Sequence, residues 1–221
     1  MTGRSTVILL FLNAAIQLGE PPVGRLALVK WVFLSEIMRP LYELWHRAFE
    51  FVRYDHGPYS DDILRRTEFL VINGYATCTE FKKFPQGIRA SYAISPRGGE
   101  LASRLTEKFP EARLLAKLCE DLVWSLQSLG IRSANDICGV VYREPAFASI
   151  LRQEGQGRQA STPIPIPTAT NPNHPSFKLL NILSGLAETE FSHSTSPREI
   201  VYQYLKYLLV ERVRIQSVLE V

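Results

Sequence analysis

The stretch Arg53-Tyr54-Asp55-His56-Gly57-Pro58-Tyr59-Ser60 runs without a gap into a helical pattern from Asp61 to Gly74 and then into a basic hairpin from Tyr75 to Ile94. Ser60 stands where an N-cap belongs, Asp61 and Asp62 suit the positive helix end, and Asn73-Gly74 supplies a stop. Ile63, Leu64, Phe69, Leu70 and Ile72 give this helix its apolar face. Tyr75 to Phe81 and Ile88 to Ile94 alternate partly in strand fashion around Lys82-Lys83-Phe84-Pro85-Gln86-Gly87, a loop longer than two residues. A tight Gly-Pro entry, a capped helix and a two-stranded wing spell a winged helix-turn-helix domain, and with it a binding function.

The segments on the N-terminal side fit that order. A helix capped by Ser5 or Thr6 carries Val7, Leu10, Phe11, Ala14 and Leu18 at helical spacing and stops at Gly19. Arg4 with Val7 to Leu12 imitates a secretory signal, but the apolar run is short and continues as an amphipathic helix. A second helix is expected from about Arg25 to Ile37, broken by Pro40, and Leu41 to Phe51 reads as a further helix or turn rich in aromatics.

On the C-terminal side, Ser95 to Gly99 leads to a helix expected from near Glu100. Helices follow over Glu111 to Leu129, Ala134 to Tyr142 and Pro145 to Leu151. Composition then changes at Gln153, where glycines and the alternation Pro163-Ile164-Pro165-Ile166-Pro167 favour an extended path. A last helix spans about Pro197 to Leu219, with its proline in the first turn. The whole reads as mainly α with a small β-hairpin wing. Its divisions are a winged-helix domain (1–110), a helical extension (111–152), a flexible Pro/Gly/Ser/Thr-rich linker or loop (153–175) and a C-terminal helical region (176–221).

Bulk properties narrow the function. With 46% apolar and 21% charged residues in 221, the chain buries a core without staples. Three cysteines without CxxC spacing indicate neither a disulfide framework nor zinc, and a reducing cytoplasm is the default compartment. His46, His174 and His193 stand isolated, so neither a metal nor a cofactor is expected. Asp55 beside His56 suggests an oriented imidazole, but with no nucleophile legible a turn-stabilising role is expected and no catalytic residue is assigned. Gly98-Gly99 lacks the rest of a phosphate loop and reads as the turn from wing to helix.

Val29-Lys30-Trp31-Val32-Phe33-Leu34, Tyr54-Asp55-His56-Gly57-Pro58-Tyr59-Ser60 and Phe69-Leu70-Val71-Ile72-Asn73-Gly74-Tyr75 resemble two related groups. These are the YwgA-like bacterial proteins of unassigned function and the Panacea, or SocA-like, antitoxin domains. The likeness covers roughly Val7 to Leu105, and Val140-Val141-Tyr142-Arg143-Glu144 extends it toward residue 150. It implies a winged helix of the transcription-regulator kind, or neutralisation of a toxin by protein contact. No catalytic residue comes with it.

Arg65 and Arg66 on the helix after the Gly-Pro turn, with Lys82, Lys83 and Arg89 on the hairpin, are the candidate DNA contacts. Against them, Ser60 to Pro110 holds eight Lys/Arg and six Asp/Glu, a net of only +2, and Asp61, Asp62 and Glu68 would repel phosphate. Tyr42, Trp45, Phe49, Phe51 and Tyr54 read as core rather than as a base-stacking platform. Leu205, Leu208, Leu209 and Val213 make an apolar stripe that serves either intramolecular packing or a homodimer. The leading expectation is a non-enzymatic prokaryotic or mobile-element transcriptional regulator that binds duplex DNA as a homodimer. The alternative is an antitoxin or accessory subunit of a defence system that binds a protein.

Overall fold

Val7-Ile8-Leu9-Leu10-Phe11-Leu12 has no polar face to offer water, and in the computed structural model all six residues are buried within helix α1 (Arg4–Gln17). The structure describes residues 3–20, 22–85, 87–153, 162–168, 171, 173–191 and 196–219. Strand β1 (Val23–Gly24) leads directly into α2 (Arg25–Met38), which is buried without interruption from Leu28 to Met38. Pro40 then turns the chain into a short 3₁₀ segment, Arg39–Tyr42, closed by Glu43 in the left-handed region. Of the two expectations for Leu41 to Phe51, the turn is therefore the one found. Tyr42, Phe49 and Phe51 fill the core, whereas Trp45 and Tyr54 are exposed.

The decisive stretch holds a small antiparallel hairpin, β2 (Val52–Tyr54) and β3 (Gly57–Tyr59), with Asp55-His56 at its tip. Helix α3 (Asp61–Ile72) follows, and after it come β4 (Ala76–Phe84) and β5 (Gly87–Ile94). They form an antiparallel sheet in the order β1-β5-β4. Its register pairs Val23 with Tyr92 and Phe81 with Ala90, and shifts between Cys78 and Glu80. Ser60 occupies the N-cap position of α3 in an extended conformation, but its side chain makes no capping bond. Helix α4 starts earlier than expected, at Pro96 (Pro96–Lys108), because Ser95 accepts the Gly98 N–H at 3.0 Å and so caps it. A Cβ on Gly98 would lie 1.9 Å from the Tyr75 carbonyl oxygen, so only glycine lets α4 meet the base of the hairpin.

Helix α5 (Pro110–Ser128) lies between α1 and α9 (Pro197–Leu219), and α6 (Ala134–Val141), α7 (Pro145–Gln153) and α8 (Pro175–Phe191) complete the helical layer. Two buried carboxylates join these helices. Asp121 accepts from Tyr42 at 2.7 Å and from Arg198, tying α5 to the 3₁₀ segment and to α9. Glu144 accepts from Phe147 N–H and Tyr204 hydroxyl, each at 3.0 Å, and from the Ser176 hydroxyl. Burial raises the Glu144 carboxyl above its ordinary value, opposed by those bonds.

Two expectations need correction. Leu205 and Leu208 are buried in the protomer's own core and Leu209 packs against it, so this stripe is not a free dimerisation face. The reason is that α5 and α8 lie against α9. The Val213 side chain lies outside the described residues. In the span read as a linker, residues 162–168 are docked. Arg53 N–H donates to the Thr162 carbonyl at 2.9 Å, Ile164 N–H donates to the Phe51 carbonyl at 2.8 Å, and Ile164 and Ile166 are buried. The proline alternation sends both isoleucines to one side and leaves their N–H groups able to pair. The rest of that span up to His174, apart from Gln153, Asn171 and Asn173, lies outside the described residues.

Candidate partner-binding surface

A buried lysine sets the Gly-Pro turn. Lys30 projects from α2, and its ammonium donates to the Pro58 carbonyl at 2.6 Å. Gly57 sits at φ +92°, and a Cβ there would come within 3.2 Å of Lys30 Nζ. Glycine thus satisfies both the left-handed backbone and the close approach of the lysine. Burial lowers Lys30 from its ordinary value to about 8, partly offset by Cys138, whose own thiol burial pushes up. Cys138 reaches the His56 carbonyl at 4.0 Å, and the Tyr142 hydroxyl donates to the Asp55 carbonyl at 3.3 Å. Among the described residues no bond joins Asp55 to the His56 ring. The turn is held through its backbone, as a structural device that aims α3.

All five expected DNA contacts are exposed on α3 and the β4–β5 hairpin. Four of them face carboxylates. Arg65 pairs with Asp61 at 3.4 Å and Arg66 with Asp62 at 3.3 Å, one helical turn apart in each case. Asp62 also meets Arg4 at 2.8 Å, and Glu80 lies 3.2 Å from Lys82 and 3.9 Å from Arg89. The Lys82 hydrogen bond and the two nearby cations hold the Glu80 carboxyl below its ordinary range. Lys83 makes no ion pair among the described residues.

Between these charges lie apolar side chains that the sequence reading placed elsewhere or passed over. Phe69 and Ile72, expected on the buried face of α3, are exposed, Ile72 at 83%. On the hairpin, Phe81 is 64% exposed, and Phe84 and Ile88 are exposed with it. The register sets Lys83 opposite Ile88 and Phe81 opposite Ala90, so Phe81, Lys83 and Ile88 share one face of the ribbon. Phe84 belongs to the other face with Lys82 and Arg89. Polar screening with interspersed aromatic and aliphatic groups is the chemistry of a protein-facing patch. Models of known protein families give no match to the chain, and no curated protein matches it. Among the described residues, no helix is long and apolar enough to cross a membrane.

Proposed function

We propose that the chain is a non-enzymatic binding protein of winged-helix type whose α3 and β4–β5 hairpin dock a protein partner, in the manner of an antitoxin or accessory subunit of a prokaryotic defence system. The winged-helix reading draws on the order α1-β1-α2-α3-β4-β5 with the short β1 beside β5. The observation that carries the choice of partner is the surface itself: Ile72 and Phe81 stand out from it while four of its five cations are matched by acids. Phosphate binding draws on uncompensated cations that release counterions, and here that electrostatic contribution is small. Duplex DNA is the second reading, favoured by Lys83, which the described residues leave unmatched on the hairpin, and by a helix and wing placed to straddle a groove.

One pair of variants separates the two. The partner is purified with the chain from its native host, identified, and reconstituted from purified components. Ile72→Ser with Phe81→Ser should then abolish the complex, whereas Arg65→Ala with Arg66→Ala should weaken it by less than about tenfold, as exposed ion pairs contribute little. Duplex binding that falls steeply with salt and is lost in the arginine variant would replace this reading with the DNA one.

A further inference from the structure

Away from that surface, four segments enclose a polar cleft of about 130 Å³ lined by Arg4, Val7, Arg39, His46, Arg47, Ala48, Glu111 and Leu115. Arg39, at the end of α2, lines it with a side chain only 6% exposed. Its Nε and Nη1 are buried without any hydrogen-bond partner. Glu36 lies 3.6 Å from Nη1, beyond hydrogen-bond reach, and its own Oε1 is likewise without a partner. Buried guanidinium donors left open in this way cost free energy unless a ligand or water completes them.

The other lining groups point to the ligand's charge. Arg4 gives one nitrogen to Asp62, and Arg47 gives one to Glu50 at 3.0 Å. A guanidinium has five N–H donors, so each keeps donors for a further acceptor. Arg4 and Val7 belong to the first turn of α1, whose N-cap Gly3 supplies no side-chain acceptor. Glu111 is in the first turn of α5. Two helix N-termini therefore border the cleft with their positive ends. Burial raises Glu36 to about 7 against the pull of Arg39, so near neutral pH it balances only part of the Arg39 charge. Glu111 is the one carboxylate in the lining.

We infer that this cleft binds a single phosphate group, held by Arg39 from below and by Arg4, Arg47 and His46 at the rim. Guanidinium forks match the oxygens of phosphate, and a tetrahedral anion can accept from donors arriving from several directions, as a planar carboxylate cannot. The volume is below the roughly 300–1,000 Å³ of pockets that enclose drug-sized ligands, which limits the enclosed part to one oxyanion with water. The site meets the α3 surface only through the Arg4–Asp62 pair.

Calorimetric titration of the full chain at low salt with inorganic phosphate, methyl phosphate and acetate tests the assignment. Saturable 1:1 phosphate binding is expected, weakened about tenfold by Arg47→Gln and by Arg4→Gln, each a lost charge-assisted bond. Glu111→Gln should tighten it. Both arginines are at the rim, and melting of each variant without phosphate verifies that it is folded. Methyl phosphate binding as tightly as phosphate would identify an esterified group as the ligand, and weaker binding would identify the free ion. Absence of saturable phosphate binding, equal affinity in wild type and a folded Arg47→Gln, or preference for acetate overturns the inference.

Discussion

Burial raises Glu36 from its ordinary value of 4.5 to about 7, and lowers Lys30 from 10.5 to about 8. Between pH about 4.5 and about 7 the folded chain holds a proton on Glu36 that the unfolded chain has released, so this group makes stability fall as pH rises through that window. At about 1.4 kcal/mol per pH unit the whole effect is limited to about 3 kcal/mol. Lys30 acts in the opposite sense at higher pH: the unfolded chain binds more protons between about 8 and 10.5, and stability rises there. Glu36→Gln keeps an acceptor for the Ala48 N–H that Glu36 Oε2 takes at 3.0 Å, while removing the titration. Urea midpoints measured across the pH range should show a shallower fall below pH 7 in this variant and an unchanged rise above pH 8. The remaining fall belongs in part to Glu144, raised in the same direction. An unaltered slope would assign the lower window to other groups. None of this was legible in the sequence, because Lys30 and Glu36 read as ordinary helical charges until the partners around α2 are known.

The elements themselves were more legible than their faces. Helix α3 lies where Ser60, the two aspartates and Asn73-Gly74 set it, and the pairing of Asp61 with Arg65 and Asp62 with Arg66 was readable from their spacing alone. Which apolar stripe of α3 is covered was not, since Leu70 and Ile72 both fit a helical period but only Leu70 meets the core. The Glu80–Arg89 pair needed the strand register, which the shift after Cys78 conceals. Helix α9 presents the same ambiguity: its stripe fits a dimer seam as well as a core, and the structure packs it inward. Leu205→Glu with Leu209→Glu should therefore unfold the chain, measured by loss of helical circular dichroism at 25 °C. Burying a carboxylate at Leu205 without a partner exceeds what a marginally stable fold tolerates. A folded, soluble double variant would instead show that α9 is dispensable to the protomer.

At the scale of the whole molecule, one connected core takes in residues from α1 at Val7 through α9 at Leu208, and Ile164 and Ile166 belong to it. The extended 162–168 segment therefore joins the first half of the chain to the second, pairing with Phe51 and Arg53 beside the Gly-Pro hairpin. Composition could not reveal this, because alternating prolines describe the backbone path and not what the intervening isoleucines touch. Truncating both side chains to serine removes two buried aliphatic groups and sets hydroxyls among apolar neighbours. The expected loss is about 3–6 kcal/mol for Ile164→Ser with Ile166→Ser, on the scale of paired core truncations. Because the core is continuous, chemical unfolding of this variant should stay a single transition seen alike by Trp fluorescence and by circular dichroism. Trp31 in α2 and Trp124 in α5 report on the two halves at once. Separation of the two signals would mean that the segment docks onto a first half already folded alone, and that cooperativity runs through α1 and α5 without it.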